Sequence, residues 1–292
     1  MNGLTALIPL DTTEFSESAM HMLPLLKEIG FEKVRLVSAS DPKKRLDKDM
    51  LATYLQDMEP KVAAFGMECE TRVLEGEPVD AILAEADSSD IDLIVIATHG
   101  RTGIARYFLG SVGDKLIKNS PCPRLVIGPN VEIDLESYDL THVLVPLDGS
   151  ELSELSIPIA RHLAKICEAQ VDLIRTVFPT PAAAGHELIA VDLLDEMLED
   201  ASSYLARMKE QFVGLKVTTN VVTGRPDFAI IEHMKNSTND LVVIASRGRT
   251  GIARSLMGST TERVLHGPDP VLVFEPGEDR SRLFEAARAA VD

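Results

Sequence analysis

A sixteen-residue segment occurs twice in this chain, and the duplication limits the possible folds more than any other feature. Ala97-Thr98-His99-Gly100-Arg101-Thr102-Gly103-Ile104-Ala105-Arg106-Tyr107-Phe108-Leu109-Gly110-Ser111-Val112 returns 148 residues later as Ala245-Ser246-Arg247-Gly248-Arg249-Thr250-Gly251-Ile252-Ala253-Arg254-Ser255-Leu256-Met257-Gly258-Ser259-Thr260. Ten of the sixteen positions are identical. The flanking sequence restarts as well. His142-Val143-Leu144-Val145-Pro146-Leu147-Asp148 answers Thr5 to Asp11 with the shared ending Pro-Leu-Asp, and Gly224-Arg225-Pro226 answers Gly76-Glu77-Pro78. Such a chain is two copies of one unit. Half of 292 residues is enough for each copy to bury its own core.

Within each copy, short apolar runs alternate with segments of helical periodicity. Leu4 to Leu10 reads as a buried strand that ends at Asp11. Phe15 to Ile29 has helical spacing and stops at Gly30. A strand over Val34 to Ala39, a long helix over Arg45 to Phe65 and a strand over Cys69 to Leu74 follow. Val79 to Ala86 is a helix with Pro78 in its first turn, where a missing N–H costs nothing. Ile91 to Ala97 is the most apolar strand of the first copy, so it belongs at the centre of a sheet covered on both faces. After the repeated loop come a helix from about Gly110 to Asn119 and a strand over Pro123 to Ile127. The second copy repeats the strands at His142 to Asp148, Val171 to Val177, Leu241 to Ala245 and Val271 to Phe274. It has about 11 more residues between its aspartate and Gly224 than the first has before Gly76, and Pro179 to Ile189 is the expected insertion. The tail from Arg280 to Val291 predicts a short helix with Leu283, Phe284, Ala287 and Val291 on one side.

Alternating strands and helices imply parallel sheets with right-handed crossovers. The expected fold is α/β, with two tandem doubly wound domains, each an open five-stranded parallel sheet with helices on both faces. The domains span 1–130 and 141–276, with a linker at 131–140 and a tail at 277–292. Ligands of such sheets sit beyond the carboxyl ends of the strands, where strand order reverses. Asp11, Ala39 and Gly100 all fall at such ends.

Composition removes several classes of function. A net charge of −17 opposes nucleic acid or an anionic membrane as partner. No apolar run approaches the roughly 20 residues of a membrane span, and the first residues lack the pattern of a signal peptide. Cys69, Cys122 and Cys167 form no CxxC pair, which speaks against a disulfide framework or zinc site and fits a reducing cytoplasm. There is no GxxxxGK[ST], GxGxxG or GxSxG, which weighs against P-loop NTPases, dinucleotide-binding dehydrogenases and α/β-hydrolases. His99 has no evident nucleophile beside it and reads as a contact or solvent residue.

What remains is the chemistry of the repeated loop. Glycines let a backbone approach an anion closely. A helix starting near Gly110-Ser111 presents unpaired N–H groups and the positive end of its dipole, and the Ser111 hydroxyl can cap that helix or bind a phosphate oxygen. This is a phosphate cradle, repeated at Gly258-Ser259. In these residues the chain resembles the universal stress protein family, tandem type, over nearly its whole length. The ATP pattern of that family is a glycine, two residues, a glycine, nine residues, and a glycine with serine or threonine. Gly100, Gly110 and Ser111 match it, as do Gly248, Gly258 and Ser259, while Ala97 and Ala245 replace the first glycine.

The resemblance further implies that Asp11 and Asp148 contact the adenosine part, and that the backbone at Ala39 and Thr176 faces adenine. By charge alone, Arg247, Arg101 and Arg249 are added as phosphate contacts. Arg247 stands where the first copy has His99, which predicts tighter binding in the second half. The aspartates have an alternative role, since aspartate readily caps a following turn or helix. The family expectation is a cytoplasmic protein that binds ATP in one or both domains, with Mg²⁺ held mainly by phosphates and water. It acts in stress response as a sensor or binding protein, and no catalytic residue is assigned. Pairing of Leu125–Ile127 with Leu272–Phe274 and formation of a homodimer are also implied. Two alternatives stay open: slow ATP hydrolysis or phosphoryl transfer, with Asp11, His99 and Arg247 as candidates, and a nucleotide-free interaction scaffold.

Overall fold

The computed structural model describes residues 3–41, 47–88, 90–98, 110–131, 138–178, 187–246, 257–275 and 282–289. The first half runs β1 (Leu4–Pro9), α1 (Glu14–Glu17), a 3₁₀ turn (Ser18–Met22), α2 (Leu23–Glu28), β2 (Phe31–Ser40), α3 (Lys48–Ala63), β3 (Glu68–Glu75), α4 (Pro78–Ala86), β4 (Leu93–Ala97), α5 (Ser111–Asn119) and β5 (Arg124–Ile127). The second half runs β6 (His142–Pro146), α6 (Glu151–Glu154), α7 (Ser156–Ile166), β7 (Gln170–Val177), α8 (Glu187–Lys209), β8 (Val217–Thr223), α9 (Pro226–Asn236), β9 (Leu241–Ala245), α10 (Ser259–Val264) and β10 (Val271–Phe274), and α11 (Arg282–Ala289) closes the chain.

The strands form one ten-stranded sheet in the order β3-β2-β1-β4-β5-β10-β9-β6-β7-β8. Each half is parallel within itself and doubly wound, with its switch point between the first and fourth strands. The expectation of two separate five-stranded sheets is corrected at β5 and β10. These pair antiparallel, Leu272 opposite Leu125 and Val273 opposite Arg124. Both are short and fully buried, so an unpaired edge at either would leave backbone N–H and C=O groups without partners. The strand pairing implied by the family resemblance therefore occurs within one chain.

Two local expectations also change. Phe15 to Ile29 is not one helix but α1, a 3₁₀ turn and α2. Pro24 sits in the first turn of α2, where its missing N–H prevents one helix from running through. The helix expected from Arg45 begins at Lys48, because Asp47 caps it by accepting the Asp49 N–H at 2.9 Å. Of the expected insertion, Glu187–Ile189 is already helical within α8. The tail helix forms as α11, burying Leu283, Phe284 and Ala287, with Phe284 edge-on to Phe274 at 5.0 Å between ring centres. Arg282 fixes its start by donating to the buried Asp92 carboxylate from Nε at 2.8 Å and Nη2 at 2.6 Å.

The duplicated scaffold carries inverted charge in one place. Arg35 on β2 is buried and donates to Glu70, Glu85 and Asp90. Burial works against the charged form of Glu70, but hydrogen bonds from Arg72, Lys33 and Arg35 outweigh it and hold its pKa at about 2. At the matching place on β7 stands Asp172, which takes hydrogen bonds from Thr218 at 2.9 Å and Asn220 at 2.5 Å and meets His233 at 2.6 Å. Each half satisfies its own buried charge, so the inversion marks divergence after duplication without exposing either core.

Candidate functional site

The carboxyl ends of β1, β2 and β4 converge on a cavity of about 380 Å³, lined among others by Asp11, Ala39, Ala97, Gly110 and Ser111. These are the first-half residues singled out from sequence, apart from Gly100, which lies outside the described residues. The matching second-half residues Asp148, Thr176, Ala245, Gly258 and Ser259 stand at the ends of β6, β7 and β9 and at the start of α10. Arg247 and Gly248 lie outside the described residues, as do His99, Arg101 and Arg249.

Asp11 fulfils the alternative role foreseen for it. Its Oδ1 accepts the Thr13 N–H at 3.2 Å and the Thr13 hydroxyl at 2.5 Å. Thr13 in turn caps α1 by accepting the Ser16 N–H. Asp148, Ser150 and Ser153 repeat this turn bond for bond. The signal was visible as Asp11-Thr12-Thr13-Glu14-Phe15-Ser16 against Asp148-Gly149-Ser150-Glu151-Leu152-Ser153. Tyr54 braces the same turn, its hydroxyl donating to Glu17 at 3.0 Å, and Tyr204 does the same to Glu154 at 3.0 Å. Burial, and then the Glu17 carboxylate, push the Tyr54 hydroxyl well above its usual pKa, so it stays a donor.

The phosphate-side geometry differs in one respect from the sequence reading. Ser111 is the first residue of α5, and Gly110 holds the cap position without a side-chain bond. The Ser111 hydroxyl therefore does not cap the helix. Ser111, Val112 and Gly113, the first residues of α5, line the cavity, and their N–H groups have no partner within the helix. Their dipole favours an anion there.

Gly113 also lines the cavity, and its role was not read from sequence. A Cβ at Gly113 would stand 2.9 Å from the Thr98 methyl carbon. In the second half the sizes are exchanged, with Ser246 facing Thr261, whose hydroxyl donates to the Ala245 carbonyl at 3.1 Å. Gly113→Thr is expected to lower stability by about 1–2 kcal/mol, and Thr98→Ser in the same chain to recover most of it. Urea unfolding of the two single variants and the double variant measures this coupling. A double variant no more stable than Gly113→Thr alone would show that the contact is not what holds the pair.

No helix among the described residues is long and apolar enough to cross a membrane. Among them, no group of three or more His, Cys, Asp or Glu side chains could hold a metal ion.

Comparison with known proteins gives this geometry a family. The model of the Universal stress protein family matches residues 7–128 and again 140–275. A universal stress protein of Mycobacterium tuberculosis is 32% identical over 195 residues, which cover 64% of this chain and 62% of the relative. The match thus spans less than two thirds of that relative's length. A universal stress protein of Methanocaldococcus jannaschii is 34% identical over 139 residues, 46% of this chain and 81% of the relative. Among solved structures, a universal stress protein of Archaeoglobus fulgidus shares the fold with a TM-score of 0.69 at 22% identity, covering 94% of this chain and 98% of that one. A putative universal stress protein of Pseudomonas aeruginosa does so with a TM-score of 0.68 at 17% identity, covering 99% and 98%. With two successive matches that take in most of its residues, the chain belongs to the universal stress protein family and carries two family units in tandem.

Proposed function

We propose that the crevice of the first half binds an adenine nucleotide, ATP with Mg²⁺, and that the chain is a cytoplasmic, homodimeric nucleotide sensor or binding protein of stress response. One observation carries this reading: the cavity at the switch point collects an aspartate, the end of β4 and the open N-terminus of a nine-residue helix. A nucleoside has a carboxylate to meet at Asp11, and phosphates have N–H groups to meet at α5. The lining fits a Mg²⁺ that arrives on the phosphates, because Ser111 and the Asp11 and Asp41 carboxylates offer hard oxygen atoms without forming a cage of their own.

The first half is the stronger candidate, against the expectation drawn from Arg247. The helix after its loop has nine residues, whereas α10 has six. A shorter helix carries a weaker dipole.

Purified protein is denatured and the released nucleotide is quantified against protein. ATP with Mg²⁺ is then titrated into nucleotide-free protein. Asp11→Asn keeps Oδ1 as acceptor for the turn but removes the charge, and is expected to weaken ATP roughly tenfold. Protein that releases no nucleotide and takes up none at saturating ATP and Mg²⁺ sinks the reading.

A further inference from the structure

Because β5 and β10 pair with each other inside the chain, the ten-stranded sheet ends on β3 and β8, each with one strand neighbour. These two edges are built differently. β3 is charged: Glu68 and Glu70 both bridge to Lys33 at 3.1 Å, and Arg72 bridges to Glu85 at 3.0 Å. Counted back from the matched Gly76 and Gly224, the places of Glu70, Arg72 and Glu75 are held on β8 by Thr218, Asn220 and Thr223. β8 is therefore seven residues, Val217-Thr218-Thr219-Asn220-Val221-Val222-Thr223, with no charge, proline or glycine and with six β-branched side chains. Charges blunt an edge strand, and an edge without them is a template for another strand. A net charge of −17 sets two copies of the chain against each other, so self-contact needs a surface without acidic groups. β8 is such a surface. In the turn that leads into it, Val213 is 90% exposed, more than any other large apolar side chain among the described residues.

The ladder fixes which groups β8 offers. The Val171 N–H donates to the Lys216 carbonyl and the Gly224 N–H to the Val177 carbonyl, both at 2.9 Å. The even-numbered residues of β8 thus turn their backbone groups to β7, and Val217, Thr219, Val221 and Thr223 turn theirs outward. We propose that the β8 edge pairs antiparallel with the β8 edge of a second copy of this chain, about a two-fold axis at Asn220. In that register Val217 of one copy meets Thr223 of the other and Thr219 meets Val221, and each pair exchanges both its N–H···O bonds. Every outward residue of the strand finds a partner, whereas a shifted register leaves some bare. The facing side chains are β-branched on both copies, a favourable cross-strand combination. The contact is the same patch on both copies, so it closes, and the charged β3 edge stops the sheet from growing further. This inference rests on the homodimer of the reading above and names its surface. A seven-residue edge is small beside the roughly 1,200 Å² of a stable interface, so the dimer is expected to dissociate on dilution.

The full chain is followed by sedimentation velocity over a concentration series, and its mass is expected to rise from one chain to two. Thr219→Pro removes an outward N–H and puts a ring where the second strand must lie, while proline is tolerated on the outward side of an edge strand. Thr219→Lys keeps the N–H but sets two ammonium groups at diagonal positions on one face of the joined strands. Each variant is expected to weaken the dimer at least about tenfold, with circular dichroism showing that the chain stays folded. Thr71→Lys, at the matched place on β3, is expected to leave the mass unchanged. A dimer that survives both Thr219 variants, or that Thr71→Lys disrupts equally, overturns the β8 edge and leaves the homodimer standing. A chain that stays single at every concentration removes the edge and the homodimer together. Nucleotide released from the same samples bears on the ATP reading alone, so the two can fail separately.

Discussion

Gly128→Ala is expected to lower unfolding free energy by about 3 kcal/mol, at the upper end of what overpacking costs. Gly128 follows β5, where the first half meets the second. A Cβ there would stand 2.2 Å from the carbonyl oxygen of Leu265 and 3.3 Å from its carbon. The opposing atoms are backbone, so no rotamer change relieves the clash. Leu265 is also anchored, its N–H donating to the Thr261 carbonyl at 3.1 Å, and Asn130 holds the next residue through the His266 carbonyl at 2.9 Å. Relief requires β5 and the α10 end to separate, which strains the antiparallel pairing of β5 with β10 and the Lys118–Glu262 bridge at 3.0 Å. A thermal melt followed by circular dichroism is expected to shift down by roughly 6–12 °C. An unchanged midpoint would mean that the junction yields at no cost and that the two halves are loosely coupled.

That junction illustrates what could and could not be read from sequence. The parallel strands were legible because each is an unbroken apolar run that a covered sheet demands. Their ends gave the site, since a doubly wound sheet brings the carboxyl ends of β1, β2 and β4 together whatever the loops do. Asp11, Ala39, Ala97, Gly110 and Ser111 meet for that reason. The break within Phe15 to Ile29 escaped because apolar spacing continues through it, and only Pro24 hints at the interruption. Relations that arise between distant segments left no periodic trace. Thr98 against Gly113 and Arg35 against Asp172 become visible only when the two halves are matched residue by residue in space. The joining of the two sheets at β5 and β10 was expected only through the family resemblance, because Arg124 gives β5 the look of a strand with a polar face.

Arg124 is in fact among the most deeply buried large side chains of the protein, with no exposed surface. Its Nε donates to the Ile117 carbonyl at 2.9 Å, and Nη2 reaches Glu275 Oε1 at 3.0 Å. One partner ends α5 of the first half, and the other follows β10 of the second. The guanidinium therefore couples a helix to the sheet and one half to the other. Arg124→Leu fills much of the volume but takes the donor from the Ile117 carbonyl and one partner from the partly exposed Glu275 carboxylate, and is expected to cost about 3 kcal/mol. Urea unfolding at neutral pH is expected to show that loss with only modest dependence on salt, because Arg124 is fully buried and Glu275 only partly exposed. Adding Glu275→Leu to Arg124→Leu removes the carboxylate that has lost Arg124, so the double variant is expected to be more stable than Arg124→Leu alone. Recovery stays incomplete, because the Ile117 carbonyl still lacks its donor. A double variant that unfolds as readily as the single one would show that Glu275 is well solvated without Arg124. The cost would then come from the helix carbonyl, and the coupling between halves would rest on the β5–β10 pairing and on contacts such as Lys118–Glu262 and Asn130 to the His266 carbonyl.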